Sequence, residues 1–597
     1  MAVALADVLP PDLLTGLDAL KYLPELRLNR PHRKAPNGKG WLLPVTVEHA
    51  EQTDLVPAVT QWMIHVEPGY PAGSLNIYPA LTGGITATFP HQRANDPLPH
   101  IGIRSGNVCL TQEGSALPFL GGSTEPHTAY GRLHWHAERL SEWIHHARAG
   151  TLLQNGDHFE HPDVRPSTHL AVAYHERPDD LPTWLARAGQ HGTVTCHGLN
   201  SHLKTLYVTQ FAQDGVTMHQ VEWGHQVQGA PVEMAGLWIM LSAPPVTAPW
   251  GYPRTWGELR VSLKAQGVLL DSVLMQNVEA IRDGSPHLLL LGAPLPALMG
   301  GPLVRTHWQG ILLPTLAQKR TARGFRPSPE GRWRYDRQNA LADHQTLTVY
   351  DSTNHHPAEL GSRGLRPERQ RALRAVIIGA GALGAPLAEH LARTGMTHLT
   401  ILDHDTVKHG NLVRHPATLN DIGHFKASVL ATRLNAASPH ITATAHNNAF
   451  PHSSHLGCLR AADIIIDTTG SDTVIQRLAE QRFSQRPVIL SVSLGWQGKT
   501  LYAYAQRTRR FDAPAFYKAV LPHVESDRPA DHLQNTPREG IGCWHPVFPA
   551  TYTDVQLMAS CAASFLEHQL TLEEPGGFSV YEQYEDAGRW AGVRLRP

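Results

Sequence analysis

The chain has 597 residues, 42% hydrophobic and 17% charged, with a formal net charge of −1. That length implies roughly two to four domains, and the near-neutral charge gives no electrostatic case for nucleic acid or an anionic membrane as partner. The 38 His are scattered without HExxH, and Cys109, Cys196, Cys458, Cys543 and Cys561 include no CxxC, which argues against a zinc knuckle or thioredoxin-like site and fits a reducing cytoplasm.

The N-terminus, Met1 to Leu14, has no basic region before its apolar part and holds Asp7 and a Pro pair, so no secretory signal is expected. Gln61 to Val66 and Ile85 to Phe89 read as strands. Cys109 sits in the segment His100-Ile-Gly-Ile-Arg-Ser-Gly-Asn-Val-Cys109-Leu. From Tyr130 to Ala149 the residues Leu133, Trp135, Ala137, Leu140, Trp143 and Ile144 read as one apolar face of a helix. Residues 159 to about 360 carry short β-like runs (Val194 to His197, Leu206 to Phe211, Leu288 to Leu291) broken by Pro and Gly. The apolar run His287 to Met299 is too short to span a membrane and contains Pro294 and Pro296. Arg320 to Arg371 is polar and reads as an exposed connector.

From Arg374 onward the texture changes. The run Ala375-Val-Ile-Ile378 ends in Gly379-Ala-Gly381-Ala-Leu-Gly384, a helical pattern follows, and a second apolar strand from His398 to Leu402 ends at Asp403. Glycines at these positions let main-chain amides approach a phosphate at a helix N-terminus, and an acid after the second strand can accept from ribose hydroxyls. Further strand candidates at Ile441 to His446, Asp463 to Thr468 and Val488 to Val492 imply a doubly wound parallel sheet. A plain dinucleotide site, as in an NAD-dependent oxidoreductase, has no need of what comes next: Asp405, Asn411, Arg414 and Lys426. Attack on the α-phosphate of ATP does need cationic clamps and a metal ion, for which Asp467 or Asp472 is placed at the end of the Asp463 to Asp467 strand.

Those elements, Gly379 to Gly384, Asp403-His-Asp405-Thr-Val407, Asn411-Leu-Val-Arg414, Lys426 and Asp467-Thr-Thr-Gly-Ser471, resemble the adenylation domain of ubiquitin-activating enzymes and their ThiF-like bacterial relatives. The resemblance implies ATP and Mg²⁺, with Gly379, Gly381, Gly384, Asp403, Asp405, Asn411, Arg414 and Lys426 on the nucleotide. The family's second acid falls at Gly470, so the metal ligand is Asp467, Asp472 or both. Cys543, in a Gly- and Pro-flanked loop before an expected helix from Asp554 to Phe565, resembles the thioester cysteine of activating enzymes. Cys561 lies within that helix and reads as a core thiol, and Cys196 and Cys458 as structural. Cys109, after Gly69-Tyr70-Pro71-Ala72 and Phe89-Pro90, resembles the nucleophile of ubiquitin-conjugating enzymes. The H-P-N triplet of that family is absent: His100 stands roughly in its place, and the oxyanion position is open, with Asn107 close in sequence.

The order of these parts resembles the fused activating–conjugating enzymes of bacterial CBASS anti-phage operons. It implies a ubiquitin-conjugating-like α+β domain over 1–158, a β-rich linker domain and connector over 159–365, and a ThiF-like α/β adenylation domain over 366–597. The implied reaction is adenylation of a protein C-terminal glycine, transfer to Cys543 and then Cys109, and conjugation to a target amine. The implied substrate is a cyclic-oligonucleotide synthase of the cGAS/DncV-like type, and the implied assembly a cytoplasmic homodimer. Arg334, Arg337, Arg366 and Arg369 are candidates for a catalytic arginine. A stand-alone ubiquitin-like substrate, or a scaffold that uses ATP only for assembly, are the competing readings.

Overall fold

The computed structural model describes residues 9–36, 38–110, 125–199, 202–317, 324–360, 364–528, 538–539, 545–546 and 548–596. The expected thioester residue Cys543 lies outside them. The chain forms two compact units, Met1–Cys196 with Asn200–Gln220 and Val232–Asn354, and His197–Leu199 with Val221–Pro231 and His355–Pro597.

The first unit begins with the helix Pro11–Leu20 and an antiparallel meander of Leu26–Leu28, Trp41–Glu48, Val59–Val66 and Leu75–Pro79. The helix Ala129–Ala149 buries Leu133, Ala137, Leu140, Trp143 and Ile144 against this sheet's core, as apolar spacing requires, whereas Trp135, expected on the same face, stays half-buried with the Arg139 guanidinium over its ring. Thr128 caps its start by accepting from the Gly131 N–H, and Gly150 ends it in the left-handed conformation at φ +68°. Trp143 packs edge-on to Trp62 and Phe89 at 5.9 and 5.8 Å. The expected strand at Ile85 to Phe89 is not one. Ile85 and Phe89 are buried as strand residues would be, but the Asn95 side-chain amide donates to the carbonyls of Ile85 and Ala87 in place of a strand partner.

The middle of the chain forms an eight-stranded mixed sheet in the order Leu303–Leu313, His287–Pro296, Val232–Met240, His191–Leu199, Lys204–Gln213, Leu170–Tyr174, Asp351–Asn354, with Val216–Gln220 beside Lys204–Gln213. The segment read as an exposed connector is built in. It carries the helix Pro329–Gln338 and the strand Asp351–Asn354, and it buries Leu341, Val349 and Tyr350. Asp336, 1% exposed, pairs with Arg282 at 3.0 Å, so its polar composition buys an internal ion pair rather than solvation.

In the second unit Thr442–His446, His398–Leu402, Arg374–Ile378, Ile464–Asp467 and Val488–Leu494 run parallel in that order. Three antiparallel strands, Thr500–Arg507, Gly576–Asp586 and Arg589–Leu595, extend the sheet. The helices Gly384–Arg393, Lys426–Ala437 and Tyr552–Gln569 pack in one core on one side, while Asp472–Glu480 and Ala513–Ser526 belong to a second core on the other. The sheet is therefore doubly wound. Its strand order reverses between Arg374–Ile378 and Ile464–Asp467, which places a ligand crevice at their carboxyl ends. The outer edge of Thr442–His446 meets residues from far earlier in the chain. The N–H groups of Gly224 and His225 donate to the carbonyls of Pro439 and Ile441 at 2.7 and 2.9 Å, and Trp223 stacks on His440. Among the described residues no helix is long and apolar enough to cross a membrane.

Candidate active sites

At the strand reversal of the second unit lies a cavity of about 990 Å³. Its floor is the glycine loop. Gly379 takes φ +97°, and a Cβ on Gly384 would stand 2.0 Å from the Gly379 carbonyl oxygen, so both glycines are demanded by the turn itself. Gly381 differs: a Cβ there would meet nothing within 4 Å, because the residue faces the cavity. That open cradle of main chain at the head of the helix Gly384–Arg393 fits a phosphate group.

Asp403 braces the loop. Its Oδ2 accepts the Ala380 N–H at 2.7 Å and its Oδ1 the Asp405 N–H at 2.8 Å. His415 supports the loop from below, a role the sequence reading passed over although the residue follows Arg414 directly. Its Nδ1 accepts from the Ala417 N–H, so Nε2 carries the proton and donates to the Ala380 carbonyl at 2.7 Å. Burial pushes His415 below its ordinary value, which keeps that tautomer neutral. Lys426, at the head of its own helix, reaches the cavity and stands 3.0 Å from Asp405 Oδ2. Burial would raise the Asp405 carboxyl, but Lys426 outweighs it and holds the group low.

Asn411 and Arg414 do not line the cavity wall. Asn411 Oδ1 accepts the Lys408 N–H, and the Arg414 guanidinium donates to the carbonyl of Phe548, itself a wall residue. Of the two metal candidates, Asp467 is fully buried: Oδ1 accepts from the Thr469 N–H and hydroxyl at 3.0 and 2.6 Å, and Oδ2 from the Ser491 hydroxyl at 2.9 Å. Burial raises its carboxyl despite those bonds. Asp472, first residue of Asp472–Glu480, presents an exposed carboxylate on the cavity wall and is better suited to an incoming cation. Asp403, His404 and Asp405 also bring their ligand atoms within 4.8 Å of one another. The far wall is apolar, formed by Phe516, Val520, Leu521 and Val524 of Ala513–Ser526, with Arg528 beyond. Among the arginine candidates, Arg366 is buried against Thr394 and Glu567, and Arg337 pairs with Asp271 and Asp343.

In the first unit Cys109 is the exposed cysteine, whereas Cys196 is fully buried. The residue opposite Cys109 is His91, not His100: the Cys109 N–H donates to the His91 carbonyl at 2.7 Å. His100 instead occupies the turn between the short paired strands Pro97–Leu98 and Ile103–Arg104. Counting back along the sequence missed this because that hairpin loops out between the two facing segments. Asn107 is spent on the sheet, accepting from the Ile77 N–H and donating to Asn76.

A model of the ThiF family matches residues 355–564, and one described as the Cap2 central linker domain matches residues 150–355. The ATP-dependent ubiquitin transferase-like protein Cap2 of Enterobacter hormaechei subsp. hoffmannii is 32% identical over 595 residues, 96% of each chain. Molybdopterin-synthase adenylyltransferase of Escherichia coli is 29% identical over 150 residues, 24% of this chain and 59% of that one. The crystal structure of E. coli MccB with ATP matches over 38% of this chain and 64% of its own at 14% identity, with a TM-score of 0.27.

Proposed function

We propose a specific relay for this chain, which belongs to the family of ATP-dependent ubiquitin transferase-like Cap2 proteins and carries a ThiF adenylation domain. In this reading a protein C-terminal glycine enters along the apolar wall of Phe516, Val520 and Leu521, and its carboxylate attacks the α-phosphorus of ATP. The bond from that phosphorus to the bridging oxygen breaks, pyrophosphate leaves, and an acyl-adenylate remains. The Cys543 thiolate then attacks the acyl carbonyl and AMP departs. Cys109 takes the acyl group in turn, and a target amine displaces it, forming an amide. Joining both stations in one chain makes the second transfer intramolecular, which raises the effective concentration of the thioester.

The observation that carries this reading is the single cavity joining the open Gly381 cradle and Lys426 to an apolar wall. A nucleotide alone would not need the second half; an extended apolar peptide tail would. Gly379, Gly381 and Gly384 shape the phosphate site, Asp403 faces the ribose, and Lys426 neutralises phosphate charge beside Asp405. Mg²⁺, when bound, would screen the phosphates, with Asp472 as its carboxylate and Asp467 behind it. Arg414 acts at its contact with Phe548, just beyond the segment that carries Cys543, and Asn411 holds the turn at Lys408 that leads to it. The substrate in this reading is a cGAS/DncV-like cyclic-oligonucleotide synthase in CBASS defence, and the enzyme works as a cytoplasmic homodimer.

ATP–pyrophosphate exchange driven by a C-terminal peptide of that synthase tests the first step. Exchange that survives Cys543→Ala and Cys109→Ala, with thioester bands lost on non-reducing gels, supports the relay. Exchange with a ubiquitin-like protein but not with the synthase would transfer the same chemistry to the other substrate. Absence of exchange with any glycine-terminated carboxylate would sink the adenylation reading.

A further inference from the structure

The loop that presents Cys109 is held by a segment from the start of the middle region. Glu160 accepts the main-chain N–H of His91 with both carboxylate oxygens, at 3.0 and 3.1 Å, and stands 2.9 Å from the ring Nδ1. The other ring nitrogen, Nε2, lies 3.1 Å from the Leu152 carbonyl. His91 is thus fixed at its main chain and at both ring nitrogens, all from residues between 152 and 160.

That grip matters because of the backbone it holds. His91 sits at φ +56°, a left-handed conformation that a non-glycine residue keeps only when its surroundings over-determine it. In that conformation its carbonyl receives the Cys109 N–H at 2.7 Å, Gln92 and Val108 form a bridge, and the Arg93 N–H donates to the Asn107 carbonyl at 2.9 Å. Two further residues of the same segment hold the flanks. Asp163 accepts the Ala94 N–H at 2.9 Å, and the Arg165 guanidinium donates to the Ala94 carbonyl and the Ser105 hydroxyl and pairs with Asp96. Residues 152–165 therefore grip both arms of the loop, and they fall within the stretch matched as the central linker domain.

We propose that this linker segment is part of the Cys109 site, with Glu160 a positioning residue that acts through His91 to aim the thiol for acyl capture. The inference rests on the reading of Cys109 as an acyl acceptor. Without Glu160, His91 relaxes to negative φ, its carbonyl turns away, and the Cys109 main chain loses its anchor. The thiol stays exposed but no longer holds the line of attack, and misplacements of about 1 Å cost on the order of 100-fold in such reactions. Both ring nitrogens are engaged, Nδ1 beside Glu160 and Nε2 beside the Leu152 carbonyl, so the role of His91 here is to anchor the loop rather than to meet the thiol with its ring.

The full-length protein and an aryl thioester of N-acetylglycine test this without adenylation. The Cys109 thiolate forms a new bond to the acyl carbon, the old carbon–sulfur bond breaks, and the aryl thiolate leaves; mass spectrometry of the Cys109 peptide reads the adduct. Glu160→Ala lowers acylation of Cys109 by about tenfold or more, Glu160→Gln by less, and Glu160→Asp recovers part of the rate. Alkylation of the same thiol by iodoacetamide, which needs only access, changes less than about twofold in the same variants, and their thermal midpoints report that they are folded. Acylation unchanged in Glu160→Ala, or falling in step with alkylation, overturns the proposal while leaving Cys109 as acceptor. A wild-type protein whose Cys109 takes no acyl group overturns the reading beneath it.

Discussion

The carboxylate of Asp403 accepts the main-chain N–H of Ala380 at 2.7 Å, tying the end of one strand to the glycine loop that leaves its neighbour. Its second oxygen holds the Asp405 N–H, so one side chain fixes two segments of the nucleotide site. Hydrogen bonds to a charged group contribute about 1.5–3 kcal/mol each. Asp403→Ala should lower ATP–pyrophosphate exchange by at least about tenfold. Asp403→Asn, which keeps an acceptor, should lose less. Exchange equal to wild type in Asp403→Ala would mean the loop holds its shape without this brace.

The three glycines of the loop separate by variant. Gly384→Ala drives a Cβ to 2.0 Å from the Gly379 oxygen and 2.5 Å from the Thr468 hydroxyl, and should cost about 1–3 kcal/mol in thermal or denaturant unfolding. Gly381→Ala meets nothing within 4 Å and should leave unfolding within about 0.5 kcal/mol of wild type. It should nevertheless weaken ATP binding, read by titration of a fluorescent ATP analogue, because the added methyl occupies the phosphate cradle. Equal ATP affinity in Gly381→Ala would place the phosphates elsewhere.

Stability should fall on the acid side of neutrality through His440. Burial beside Trp223 pushes this imidazole down to about 4. The unfolded chain takes up a proton near pH 6.5 and the folded chain declines it, so folding loses at most about 1.4 kcal/mol per pH unit from this group as pH falls from 6.5 towards 4. Denaturant midpoints between pH 7 and pH 5 should therefore drop less steeply in His440→Gln than in wild type. Parallel slopes would show that His440 takes its proton without leaving its place.

The His91–Glu160 pair should respond in the opposite sense. Its hydrogen bond to Glu160 holds His91 above its ordinary value, with Leu152 and Asp157 adding to the effect. The pairing is fully present below the unfolded value near 6.5 and is lost as pH rises through the raised folded one. Hydrogen exchange at the Cys109 amide, compared between wild type and Glu160→Ala, should differ most in mildly acidic buffer and converge as pH rises. A difference independent of pH would assign the anchor to the main-chain bond alone.

The adenylation half was legible because its central strands, Arg374–Ile378, Ile464–Asp467 and Val488–Leu494, are buried on both faces and its glycine loop is forced by contacts within the turn. The strand expected from His398 to Leu402 and the observed one coincide. The N-terminal site was less legible for a definite reason. Which residue faces Cys109 depends on a hairpin, Pro97–Leu98 with Ile103–Arg104, whose looping-out leaves no periodic mark. Alternation at Ile85 to Phe89 reported burial correctly but could not reveal that Asn95, not a neighbouring strand, satisfies the carbonyls. The polar stretch after Arg320 misled similarly: an Asp at 1% exposure looks like a surface acid until its Arg282 partner is known. The bracing His415 could have been suspected only from its place beside Arg414.

The contact of Gly224 and His225 with the edge strand near Ile441 has a consequence for how this chain can be divided. An open strand edge is a template for pairing with other copies, and here eleven residues lent from the middle of the chain, Val221–Pro231, cap it. A Cβ on Gly224 would sit 2.3 Å from the Ile441 oxygen, so the cap lies flush against the main chain. No single cut in the sequence separates the activating fold from the rest without stripping that cover. An adenylation half released on its own, from His355 onward, would lack Val221–Pro231 and carry an open strand margin ready to pair with other chains.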